Sequence, residues 1–144
     1  MKEIVMQNAE ETEAFGLALA KRLKAGDIIA MTGNLGAGKT TLTKSIAAGL
    51  GIEEMVNSPT FTIVQEYRGG RLPLYHFDVY RVSDPDELFE IGYEDYFFGD
   101  GVCVVEWANQ IEELMPEYTI WIDISYGKQE EERIYRVRGK DLEE

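Results

Sequence analysis

Several things are scarce in this chain, and each scarcity removes a class of function. One cysteine, Cys103, stands in 144 residues. It cannot close an internal disulfide, and within Val102-Cys103-Val104-Val105 it reads as a small core side chain. One histidine, His76, is present, and without a second histidine or a cysteine pair nothing indicates a zinc site. No apolar run approaches the length of a bilayer span, so the chain reads as soluble, with no membrane association. Met1 to Gln7 enter a strand-like pattern directly, with no basic and apolar leader, and a cytoplasmic location is expected. There is no repeat, no low-complexity run and no linker, so residues 1–144 are expected to form a single domain with a real core. Bases are scarce too. Lys and Arg number 14 against 27 Asp and Glu, a net charge of −13, and none falls between Arg81 and Lys128. Such a surface repels phosphate backbones, which argues against tight unaided binding of nucleic acid. The base-free window is either a solvated acidic face or a docking face for a partner.

Glycine, by contrast, is concentrated where it has a purpose. Gly33-Asn34-Leu35-Gly36-Ala37-Gly38-Lys39-Thr40-Thr41 fits G-x-x-x-x-G-K-[ST], the phosphate-binding loop of nucleotide triphosphatases. Its glycines open backbone conformations closed to residues with a Cβ, so that successive N–H groups form a nest for phosphate oxygens. Lys39 adds a charge for the β- and γ-phosphates, and the Thr40 hydroxyl is placed to ligate Mg²⁺. The flanks agree. Asp27 to Thr32 is the short apolar run of a strand buried on both faces. Lys39 to Leu50 places Leu42, Ile46 and Leu50 on one helical face, with Gly51 as the C-terminal cap. The loop therefore joins a strand to a helix N-terminus, whose partial positive charge also favours phosphate.

Around this unit the pattern predicts a strand at Lys2 to Gln7 and a helix capped by Asn8 and Glu11 that runs to about Ala25 and ends at Gly26. Asn57 to Thr60 is a loop. Phe61 to Tyr67 and Leu72 to Asp78 form an antiparallel pair about the Arg68–Arg71 turn. Asp84 caps a short helix that ends near Gly92, with Pro85 in its first turn and Glu87 answering the cap. Val102 to Val105 is a second buried strand, stopping at Glu106-Trp107. A short helix through Ile111 and Leu114 follows, then strands at Tyr118 to Ile124 and Arg133 to Arg138. The expected fold is an α/β, P-loop NTPase-like three-layer domain whose mixed sheet has a parallel core with antiparallel additions.

A triphosphatase site also needs a carboxylate at the end of a neighbouring strand to hold or orient Mg²⁺ and water. Two candidates stand out. Glu106 follows four apolar residues at a strand end. Asp78 lies in His76-Phe77-Asp78-Val79-Tyr80-Arg81, where period-two alternation puts His76, Asp78 and Tyr80 on one side of an extended chain.

These residues carry a family resemblance. Gly33 to Thr41, Ser58-Pro59-Thr60-Phe61, His76 to Arg81 and Glu106-Trp107 stand in the order and spacing of the TsaE (YjeE) family. That family comprises small bacterial P-loop ATPases of tRNA threonylcarbamoyladenosine (t6A) synthesis. The likeness runs from about Asn8 to Trp107; the family often has Asp at the position of Asn34. The resemblance implies ATP or ADP bound through Gly33, Asn34, Leu35, Gly36, Ala37, Gly38, Lys39, Thr40 and Thr41, with Thr12 near the adenine end and Trp107 near the nucleotide. It implies Mg²⁺ on Thr40 and Glu106, and catalytic roles for Lys39, Asp78 and Glu106, with Asp78 essential to hydrolysis. Ser58 to Phe61 would be a switch-type loop. The partners implied are TsaB and TsaD, the second carrying the transferase chemistry, and tRNA would be reached only through them. Two other classes share the phosphate loop. A small-molecule kinase would need a basic lid, for which Arg68 and Arg71 are the candidates. A nucleotide-sensing module would bind ATP without useful turnover.

Overall fold

The computed structural model describes residues 2–33, 38–56 and 63–139. Within them the chain forms β1 (Lys2–Met6), α1 (Ala9–Arg22), β2 (Ile28–Gly33), α2 (Lys39–Gly49), β3 (Val64–Tyr67), β4 (Leu74–Asp78), α3 (Asp86–Glu90), α4 (Tyr93–Phe97), β5 (Val102–Glu106), a 3₁₀ helix (Ala108–Leu114), β6 (Ile120–Tyr126) and β7 (Arg133–Arg138). The strands make one sheet of order β1-β7-β6-β2-β5-β4-β3. β6, β2, β5 and β4 run parallel to one another, while β7, β1 and β3 add antiparallel at the two sides. This is the expected mixed sheet with a parallel core.

The unbroken apolar character of β2 follows from its place in the middle. Ile29 and Met31 pack with Leu19, Leu23, Leu42 and Ile46 from the side of α1 and α2. Ile28 and Ala30 face the other way, towards Leu88, Phe97, Ala108 and Ile111 from α3, α4 and the 3₁₀ helix. A central strand so covered needs apolar residues at every position, and each fully buried Leu or Ile contributes roughly 1.5–3 kcal/mol. The third dimension comes from close contact of α1 with α2. A Cβ on Gly16 would stand 2.4 Å from the Ser45 Cβ, and one on Gly49 would stand 2.5 Å from the Ala20 Cβ.

Local signals mark most element boundaries. Asn8 accepts from the Glu11 amide at 3.0 Å, while the Glu11 carboxylate reaches back to the Gln7 amide at 2.7 Å. Gly51, at φ +85, follows the end of α2 as its pattern required. The Asp84 side chain accepts from the Asp86 amide, and Glu87 answers to the Asp84 amide.

Some boundaries differ from expectation for physical reasons. α1 stops at Arg22, short of Ala25, because Leu23 is already extended and buried. The carbonyls of Ala20 and Leu23 accept from the Arg71 guanidinium at 2.7 and 3.2 Å, so the cap comes from a distant turn. Gly26 belongs to the turn beyond, where the Asp27 amide bonds the Lys24 carbonyl. β4 ends at Asp78, whose Oδ1 accepts from the Tyr80 amide at 3.0 Å and bends the chain. The segment after β5 is 3₁₀ in character, and α4 is an element that the pattern did not announce. The antiparallel strand before the hairpin is described only over Val64–Tyr67. The expectation for Phe61 and Thr62 lies outside the described residues, as do those for Asn57 to Thr60.

Candidate functional site

The site gathers at the C-terminal ends of the parallel strands, where an open α/β sheet leaves a crevice. β2 delivers Gly33 there, at φ +121, so close to β6 that a Cβ would lie 1.9 Å from the Ile124 carbonyl oxygen. Only glycine fits that approach. The chain returns at Gly38, at φ +107, and enters α2 with Lys39 as its first residue. Among the described residues no side chain caps this helix start and no acid occupies its first turn. Its amides and its dipole are left for an anion. Asn34, Leu35, Gly36 and Ala37 lie outside the described residues.

Lys39 is 5% exposed, donates to the Gly33 carbonyl at 3.2 Å and lies 4.3 Å from the centre of the Trp107 ring. Burial pulls its pKa below the ordinary lysine value, and the charges of Glu106, Asp123 and Asp78 push the other way, Glu106 most strongly. The balance is a desolvated cation facing three acids. Trp107 reaches Lys39 because it takes a left-handed conformation, φ +64, directly after the strand. That conformation is uncommon outside glycine and asparagine. Tyr80 packs on the same indole with ring centres 4.7 Å apart.

Asp78 and Glu106 sit opposite one another in the parallel β4–β5 ladder. In a parallel pair such partners share a face, so the topology brings together the two acids that the sequence singled out. Glu106 is 4% exposed and contacts the fully buried His76 through Oε2 and Nε2. Asp123 was not foreseen. It projects from β6 opposite Thr32, whose hydroxyl donates to it at 2.7 Å, and its other oxygen lies 3.7 Å from Arg136. An acid alternating with Ile120, Ile122 and Ile124 was visible in the sequence, but the pairing of β6 beside β2 was not.

Thr40 stands in the first turn of α2. Thr41 lines a cleft of about 290 Å³ together with Asn8, Thr12, Gly38, Glu131 and Tyr135. Thr12 and the start of α2, far apart in the chain, thus face one concave space. The two arginines of a hypothetical kinase lid lie elsewhere. Arg71 caps the C-terminus of α1, and Arg68 is engaged with Glu66, Tyr75 and Asp100.

A parallel strand ending in Gly33 and a helix that opens after Gly38 on a buried lysine, with acids on the next strands, define the P-loop NTPase fold. The family model "Threonylcarbamoyl adenosine biosynthesis protein TsaE" matches residues 6–135. The chain belongs to the TsaE family. It is 51% identical over 127 residues to the tRNA threonylcarbamoyladenosine biosynthesis protein TsaE of Bacillus subtilis, covering 88% of this chain and 79% of that one. To the protein of the same name from Aquifex aeolicus it is 36% identical, over 94% and 97% of the two chains. The crystal structure of Bacillus subtilis YdiB superposes with a TM-score of 0.80 at 42% identity, covering 99% of this chain and 88% of that one. Among the described residues no helix is long and apolar enough to cross a membrane.

Proposed function

We propose that this protein binds ATP with Mg²⁺ and hydrolyses it slowly as an accessory ATPase of t6A synthesis, acting in the cytoplasm on a complex of TsaB and TsaD. The observation that carries the reading is Lys39, buried at an uncapped helix start and facing acids from adjoining strands. The names of its relatives supply the pathway. Lys39 and the α2 amides hold the phosphates, and the cleft at Thr12 and Thr41 takes the nucleoside end. Magnesium keeps several waters and binds through one or two protein oxygens and the phosphates, so Thr40 and Glu106 form a fitting donor set of hard oxygens. The ion, when bound, neutralises charge that develops on the phosphate oxygens. Asp78, half-buried beside Glu106, orients the attacking water. The positions of Arg68 and Arg71 favour this reading over a kinase.

Slow turnover alone follows from what surrounds the site. Phosphoryl-transfer enzymes gain factors on the order of 10³ to 10⁵ from an arginine at the developing charge. Arg81 stands exposed in the turn beyond Asp78, and the partners supply a cation at the developing charge. The acidic face is where they dock. α3 and α4 carry acids, with Phe89 and Phe98 exposed among them. The test is ATP turnover by the protein alone, then with purified TsaB and TsaD. The expected result is a rise on the order of 10³-fold or more, the range that an added cation supplies. Reversing several acids between Asp84 and Glu117 should weaken it. Fast turnover alone, unaltered by the partners, would refute the reading.

Asp123 gives a milder expectation. Asp123→Asn keeps an acceptor for Thr32 and removes a charge that opposes phosphate. ADP should bind about two- to five-fold more tightly at low salt, as expected of a half-exposed charge worth ~0.5–1 kcal/mol. Calorimetric titration at two ionic strengths checks it, and the gain should shrink as screening increases.

A further inference from the structure

His76 is the one histidine in the chain, and the fold puts it under Glu106. It is 0% exposed, two residues before Asp78 on the same strand face, with Nε2 against Glu106 Oε2. Its other ring nitrogen, Nδ1, is buried without a hydrogen-bond partner among the described residues. These two facts favour one direction for the bond. A proton on Nδ1 would leave a buried N–H donor unpaired and would require Glu106 to supply the bridging proton. A proton on Nε2 gives the carboxylate a donor and leaves only an unused acceptor, the cheaper and commoner deficiency.

We propose that His76 is a positioning residue: its Nε2–H donates to Glu106 and fixes which carboxylate oxygen is presented to the metal. The proposal rests on the reading of Glu106 as a magnesium-holding acid. Its physical reason lies in the neighbour across the site. Glu106 is the acid that acts most strongly on Lys39, and a glutamate with its torsions free would turn towards that cation. Lysine and carboxylate would then neutralise each other and withdraw together from phosphate and metal. A buried imidazole bonded to one carboxylate oxygen prevents that collapse and leaves Lys39 for the phosphates. Acids that hold metals are commonly oriented in this way by a hydrogen bond from behind, and loss of such a partner costs about 10–100-fold in metal affinity.

The test has two arms, both on the full chain. Long-range ¹H–¹⁵N NMR sees a single imidazole, and the expected spectrum has a protonated Nε2 and a bare Nδ1. A bare Nε2 would overturn the proposal whether or not any variant folds. In the second arm ADP affinity is measured by calorimetry with and without Mg²⁺, beside thermal melts. His76→Gln places an amide N–H near the Nε2 position and should keep most of the magnesium enhancement. His76→Asn reaches only as far as Nδ1 and should lose about ten-fold of it, the usual cost of a lost orienting partner. A purely structural histidine would move the melts and leave the enhancement equal in both folded variants, which would overturn the assignment. A Glu106→Gln protein with undiminished enhancement would overturn the role of Glu106 itself, and the proposal with it.

Discussion

Lys39→Ala is expected to remove productive ATP binding while the domain stays folded. The apolar packing does not depend on the lysine. It lies at the start of α2, and the helix is held to the sheet by Leu42 and Ile46 further along. Its ammonium is held by the Gly33 carbonyl and the Trp107 ring. It is therefore desolvated before the ligand arrives, and phosphate does not have to strip water from it. A charge-assisted bond of that kind contributes about 1.5–3 kcal/mol, which corresponds to roughly a ten- to hundred-fold loss of affinity. The loss should be larger still for ATP, because the mutant leaves Glu106, Asp123 and Asp78 without the cation they face. Alanine also leaves the indole without its cation, so the melting temperature should move by a few degrees at most. Nucleotide titration beside a thermal melt decides the matter. A folded variant with unchanged ATP affinity would remove Lys39 from the site.

How far the sequence alone reaches is clearest in the same few residues. Gly33, Lys39 and the two-sided burial of β2 were legible because each rests on a local requirement: a positive φ, a helix start, a strand covered on both faces. Val102 to Glu106 was legible for the same reason. The His76–Glu106 contact was not, because it joins residues 30 positions apart through the pairing of β4 with β5. Asp123 was hidden more deeply. It reaches the site only because β6 lies beside β2, an order that no local pattern encodes. The bend after Asp78 was hidden too, because alternation cannot see an aspartate side chain bonding the backbone two residues on. The end of α1 was misjudged because its cap is Arg71, 51 positions from Ala20. Local chemistry is written in the sequence, and long-range partners have to be folded into place.

Asp78→Asn and Glu106→Gln should differ in kind, although the two acids are ladder partners on one face. Both substitutions are close in shape and leave the fold intact. Asparagine still offers Oδ1 to the Tyr80 amide, so the turn after β4 survives. Glutamine still offers an amide oxygen to His76 at the buried strand end. What changes is charge. Glu106 is nearly inaccessible and held from behind, suited to a fixed position on a metal. The glutamine side chain would be a weak ligand there, since the hard cation prefers charged oxygen. ADP binding by the Glu106→Gln variant should lose most of its dependence on Mg²⁺. Asp78 is more open, half-buried at the end of β4, and so suited to face water as well as phosphate. Its neutral variant should bind ATP–Mg²⁺ as the parent does and lose turnover by roughly 10²- to 10⁴-fold, the usual worth of a positioned base or water-orienting acid. Calorimetry with and without magnesium, and partner-activated turnover, measure the two effects separately. Equal changes in both quantities from both variants would show that the acids act as one unit, and the division of labour would fall.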